Sequence, residues 1–126
     1  MAWKLRQVWI ACGIGFVLLV VHLSLTPDPP NLGVPEGLKI GHLVAYGWLM
    51  IWFGQVYRTK IRRFLLAAAL CALGIALEYV QGLTDNRGFE NTDMMINAMG
   101  VALGLALVYT RLQNIERMFE AMLELP

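Results

Sequence analysis

Four apolar runs, at about residues 8–25, 40–57, 64–83 and 94–110, occupy most of a 126-residue chain. Each approaches the roughly 17 to 25 residues with which a helix crosses a bilayer. A soluble domain of this length has no core large enough to hide 58% hydrophobic residues. The sequence therefore implies a single all-α integral membrane domain over residues 1–126, built as a bundle of four transmembrane helices.

Charge distribution orients that bundle. Lys4 and Arg6 precede the first run, Arg58, Lys60, Arg62 and Arg63 fill the turn between the second and third, and Arg111 and Arg117 follow the fourth. The opposite ends hold only Lys39 and Arg87, beside Asp28, Glu36, Asp85, Glu90 and Asp93. By the positive-inside rule, eight basic residues against two place the first set, and with it both termini, on the cytoplasmic side of the cell (inner) membrane. The first run lacks a small-x-small cleavage site, and Pro27 follows Ser24 and Thr26 closely, so the run is expected to remain as an anchor. Cys12 and Cys71 fall inside apolar helices and read as small core residues.

Residues 26–37, with Pro27, Pro29, Pro30 and Pro35, read as a loop because proline removes backbone donors. Residues 84–92, with Asn86, Gly88 and Asn91, read as a second and shorter one. Ala68, Ala72 and Ala76 form a small-residue stripe, and Gly100 and Gly104 a G-x-x-x-G pair; both read as packing seams. Trp3, Trp9, Tyr57 and Tyr109 suit the inner membrane boundary, whereas Trp48 and Trp52 read as apolar bulk. Residues 112–125 alternate as a short amphipathic helix, with Leu112, Ile115, Phe119 and Met122 on one face and an acidic remainder.

Polar residues inside the runs carry the functional information. Lys39, His42 and Tyr46 share one stripe of the second helix, Glu78 and Gln81 one of the third, and Asp93, Asn97, Gly100 and Gly104 one of the fourth. Glu78 lies 15 residues beyond Arg63, roughly 22 Å above the inner edge, so the three stripes reach a common level near the outer surface. Arg87 stands in the loop above them. Ionisable groups at membrane depth are unfavourable by roughly 2.5 to 3.5 kcal/mol each, so they pair and mark a site.

This order of residues resembles the VanZ-like family: Lys39, His42, Tyr46 and Leu49 in a Lys-x-x-His-x-x-x-Tyr-x-x-Leu helix, Glu78 and Gln81 in a Glu-x-x-Gln helix, then Arg87, Asp93, Asn97, Gly100 and Gly104. Glu90 departs from it, standing where the pattern has a small hydroxyl residue. The resemblance implies a four-helix membrane bundle and, from the founding member, low-level resistance to the lipoglycopeptide teicoplanin. It implies no agreed reaction.

Three readings of the layer stand side by side. In the first, Lys39, His42 and Arg87 offer donors to the head group of a lipid-linked envelope component or an amphiphilic antibiotic, while Glu78, Asp93, Gln81 and Asn97 orient them, with Tyr46 on the same stripe. In the second, the chain is a hydrolase or transferase with His42, Glu78 and Asp93 as catalytic groups acting through water. No serine or cysteine lies near the layer as a nucleophile, because Ser24 belongs to the first helix and Cys71 is too deep. In the third, the charges cancel one another in an assembly scaffold. Apolar inner halves, Ile51 to Phe53, Leu65 to Leu73 and Val101 to Val108, argue against a transport path. No compact metal motif, cofactor motif or nucleic-acid-binding stripe is present, so the partners expected are membrane lipids, a lipid-linked precursor or lipoglycopeptide, and a second copy of the chain.

Overall fold

A computed structural model describes residues 3–25, 37–83 and 91–124, the side chains of 37–39, 91 and 124 aside. Among them every regular element is helical: α1 Trp3–Leu25, α2 Gly37–Gly54, α3 Lys60–Gly82, α4 Asn91–Leu107, a 3-10 turn Arg111–Asn114, and α5 Ile115–Glu124. Most of both outer connections lies outside the described residues; Gly37, Asn91 and Thr92, at their edges, are helical.

α1 and α3 have 23 residues each, about 34 Å at 1.5 Å per residue, and both are long and apolar enough to cross a membrane. α2 and α4 are shorter than their apolar runs suggest. α2 stops at Gly54 and α4 at Leu107, three residues before each run ends. The cause is local: Gly54 packs against Val108, and the chain turns at both places, through Gln55–Tyr57 and Val108–Thr110. α4 counts with the tail as a third crossing segment only as one span bent by 76°.

Contacts fix the direction of each helix. Gly100 lies on Leu43, Gly104 on Gly47 and Val108 on Gly54, so α2 and α4 run parallel and share the largest interface. Trp9 meets Trp52 and Phe16 meets Trp48, so α1 runs antiparallel to α2. Gln81 donates to the Ser24 carbonyl, joining the C-terminal ends of α3 and α1. Neighbours in sequence thus alternate up and down, as short connections between helices require.

Polarity is inverted relative to a soluble protein. Ile14, Leu18, Val44, Phe64, Leu65, Met99 and Leu103 are exposed, whereas Gln55, Arg63, Glu78, Gln81, Asn97 and Glu116 are buried. Contiguous apolar surface of this extent is excluded from water by the hydrophobic effect and is compatible with lipid. Apolar packing inside centres on Tyr46, Leu49, Met50, Ala67, Leu70 and Val101.

Two features hold the helices in register. Trp9 and Trp52 stack with ring centroids 3.9 Å apart, and each indole N–H donates to the other's backbone carbonyl at 2.8 Å. Trp52 is therefore a staple between α1 and α2, more than apolar bulk. On α3 the buried stripe is Arg63, Ala67, Leu70, Gly74, Leu77, Glu78 and Gln81. Ala68, Ala72 and Ala76, expected as a seam, face outward instead. The polar residues of α3 need burial more than its alanines do, and they sit on another face.

A Cβ at Gly100 would stand 2.5 Å from the Leu43 carbonyl oxygen, and one at Gly104 would stand 2.6 Å from that of Gly47. Backbone cannot give way as a flexible side chain does. Gly100→Leu and Gly104→Leu should each destabilise the protein by about 3 kcal/mol or more, measured by thermal unfolding in detergent. Gly15→Leu, at a position with open space around it, should stay within about 1 kcal/mol of wild type.

Candidate functional site

Gly74 organises the polar layer by having no side chain. A Cβ there would lie 3.1 Å from Asn97 Nδ2 and 3.4 Å from Tyr46 Cε1, so α2 and α4 bring these two residues against one point of α3. Tyr46 is fully buried at 0% exposure, and its electrostatic surroundings include the carboxylate of Glu78, itself 1% exposed and one turn beyond Gly74. Gln81 follows on the same stripe, buried and bonded to Ser24 of α1. Ser24, set apart by its position in the first helix, enters the layer through its backbone carbonyl.

Among the described residues four buried side-chain atoms have no hydrogen-bond partner: the Tyr46 hydroxyl and Asn97 Oδ1 in this layer, and Gln55 Oε1 and Glu116 Oε2 at the opposite end of the bundle. Buried polar groups are paired in the great majority of cases, and an orphan implies an additional group at the site. His42 is half-buried one turn above Tyr46, and Asp93 is half-buried in the first turn of α4, one turn above Asn97. Lys39 lies in α2 with its side chain outside the described residues; Arg87 and Glu90 lie outside them entirely. Among the described residues, no three of His, Cys, Asp and Glu stand together as metal ligands.

A second polar cluster forms at the opposite end of the bundle. Arg63, 2% exposed, donates through Nε and Nη2 to the Gly54 carbonyl at 3.2 and 2.9 Å and through Nε to that of Tyr57 at 3.1 Å. Its guanidinium also lies 4.8 Å from the centroid of the Tyr109 ring. These carbonyls are left bare where α2 ends, so a cation there both satisfies them and meets the negative end of the helix dipole. Gln55 donates to Ile51 and Leu112 carbonyls at 3.1 and 2.7 Å, tying the tail to α2. Arg58 donates to the Gln113 carbonyl at 2.9 Å and reaches buried Glu116 at 3.7 Å. Phe119 of α5 packs edge-on against Trp9, with centroids 5.6 Å apart.

Sequence reasoning treated the arginines at 58–63 as a topology signal alone. The signal for Arg63 was available: it falls at helical spacing on the stripe that leads through Gly74 to Glu78 and Gln81. Gln55 and Glu116 carried no such mark, because what buries them is the fold of the tail over the end of α2.

A helical chain with apolar surface and buried polar layers belongs to the class of membrane proteins. The VanZ/LLP1 family model matches residues 4–113, all but a short stretch at each end, and the chain belongs to that family. Neither comparison with curated proteins nor comparison with solved structures returns a match. The matched segment stops just before α5.

The two clusters should respond differently to substitution. Arg63→Met bares the carbonyls of Gly54 and Tyr57 and should lower stability by roughly 2 kcal/mol in detergent unfolding. Tyr46→Phe deletes a hydroxyl that bonds to no group among the described residues and should change stability by less than about 1 kcal/mol. A loss at Tyr46→Phe as large as that at Arg63→Met would mean that the hydroxyl is structural.

Proposed function

We propose that this protein is a four-span inner-membrane protein with both termini in the cytoplasm, and that its outer polar layer binds the head group of a lipid-linked or amphiphilic cell-envelope component. The observation that carries this reading is that buried Tyr46 and Asn97, each with a polar atom that has no partner among the described residues, meet against Gly74, one turn from Glu78. A head group bound at this layer gives both atoms a partner at one place, between α2, α3 and α4.

In this reading Lys39, His42 and Arg87 supply donors to phosphate or carboxylate at the mouth. Glu78, Gln81, Asp93 and Asn97 fix the geometry, and Tyr46 closes the floor. Arginine suits such a head group because its planar fork bonds two oxygens at once. The topology follows from the charge asymmetry, with Arg58 to Arg63 on the cytoplasmic side and α2 and α4 completing the crossing with the turns that follow them. Binding of a lipid-linked precursor or of a lipoglycopeptide at this layer also accounts for a contribution to teicoplanin resistance.

Lipid profiling of the purified protein tests the proposal. Wild type should retain an anionic or lipid-linked species that His42→Ala and Arg87→Ala lose by about tenfold, the 1.4 kcal/mol expected of one charge-assisted contact, at unchanged abundance and melting temperature. Equal retention by both variants would refute binding at this layer. A chemically altered lipid would instead favour the hydrolase or transferase reading through His42, Glu78 and Asp93.

A further inference from the structure

The cytoplasmic-side end of α3 carries a feature that the outer layer does not use. Two open grooves flank its first turns. One, of about 510 Å³, is lined by Lys60, Ile61, Phe64, Leu105 and Tyr109. The other, of about 300 Å³, is lined by Tyr57, Arg62, Leu65 and Leu66. Each pairs one cation and one tyrosine with apolar side chains further along the helices.

The neighbouring cations are already committed. Arg63 is buried on the carbonyls of Gly54 and Tyr57, and Arg58 is bonded to Gln113 and Glu116. Lys60 and Arg62 are exposed and, among the described residues, belong to no ion pair. Glu116, which the tail brings to this end, pairs with Arg58 and Arg117 instead. Lys60 and Arg62 stand in the first turn of a 23-residue helix, where the positive end of the helix dipole adds to their charge. Tyr109, half-exposed, forms one wall of the larger groove while its ring also meets the guanidinium of Arg63.

The geometry points to anionic phospholipid binding in both grooves at this end, with one phosphate on Lys60 and its acyl chains along Phe64 and Leu105, and another on Arg62 with its chains along Leu65 and Leu66. Charge complementarity selects the head group: two uncompensated cations at the head of apolar channels attract an anionic lipid over a zwitterionic one. The amphipathic tyrosines Tyr57 and Tyr109 suit the interfacial level at which a phosphate sits. This site is separate from the Tyr46 and Asn97 layer and does not depend on it.

The test is competition between phosphatidylglycerol and phosphatidylcholine for the full-length protein in mixed-lipid nanodiscs, read as lipid retained after extraction into detergent and counted by native mass spectrometry. Wild type should retain phosphatidylglycerol in preference, by at least fivefold. The double variant Lys60→Gln, Arg62→Gln should lose that preference, while Lys4→Gln, Arg111→Gln, which removes two exposed charges outside the grooves, should keep it within twofold. Phe64→Ala should weaken retention about threefold with the preference intact. Circular dichroism and elution volume identical to wild type exclude misfolding as the cause, and the single variant Arg62→Lys, which keeps the charge, should keep the preference. Equal loss in both double variants would reduce the effect to net charge and overturn the site. So would no loss in either, or displacement of the lipid by millimolar glycerol 3-phosphate, which would make the site one for soluble phosphate.

Discussion

Close backbone approach between α2 and α4 is the contact on which the rest of this fold depends. Gly47, Gly100 and Gly104 allow it, since side chains at the last two would meet main-chain carbonyl oxygens. In lipid there is little hydrophobic gain in bringing two apolar helices together, so association rests on close packing and on polar contacts, both of which small residues permit. Because the two helices run parallel, the seam extends from Leu43 opposite Gly100 to Gly54 opposite Val108. Tyr46 and Asn97 lie beside it at the same level, and α3 closes over them where Gly74 leaves room.

The second constraint is that a membrane environment offers no water to satisfy backbone groups. At the end of α2 the chain leaves helical geometry at Gly54, and Arg63 turns inward from the start of α3 to donate to the exposed carbonyls. Gln55 does the same for Ile51 and Leu112, which brings the 3-10 turn and α5 back over the bundle. The stacked pair Trp9 and Trp52 donates both indole N–H groups to backbone across the α1 and α2 interface. At this end most polar side chains bond to backbone, although Gln55 Oε1 and Glu116 Oε2 have no partner among the described residues.

The other end differs. There Glu78, Gln81 and Asn97 are as deeply buried as Arg63, and the Tyr46 hydroxyl and Asn97 Oδ1 lack partners among the described residues. Burying a polar atom without a hydrogen bond is unfavourable by roughly 1 to 3 kcal/mol. Gln55 Oε1 and Glu116 Oε2 at the Arg63 end have no partner among the described residues either, so the two ends differ in what their polar groups meet: bare helix-end carbonyls at one, and side chains of α2 and α4 gathered against Gly74 of α3 at the other.

Much of this was legible in the residue pattern. Apolar runs of crossing length gave helices, and the order Tyr46, Leu49, Glu78, Gln81, Asn97, Gly100 and Gly104 gave the family and the polar stripes, because helical periodicity alone puts residues three or four apart on one face. What sequence could not give was which of several competing stripes faces inward. Ala68, Ala72 and Ala76 recur at helical spacing just as Ala67, Leu70 and Gly74 do, and only packing against α2 and α4 selected the second set. Likewise Arg63 and Arg62 are adjacent and chemically identical, but one is sealed against the carbonyls of Gly54 and the other stays outside. Periodicity along one helix fixes relative directions of side chains; their absolute direction exists only once neighbouring helices are in place, so the sequence determined the elements and the family while the tertiary structure decided which charges became structure.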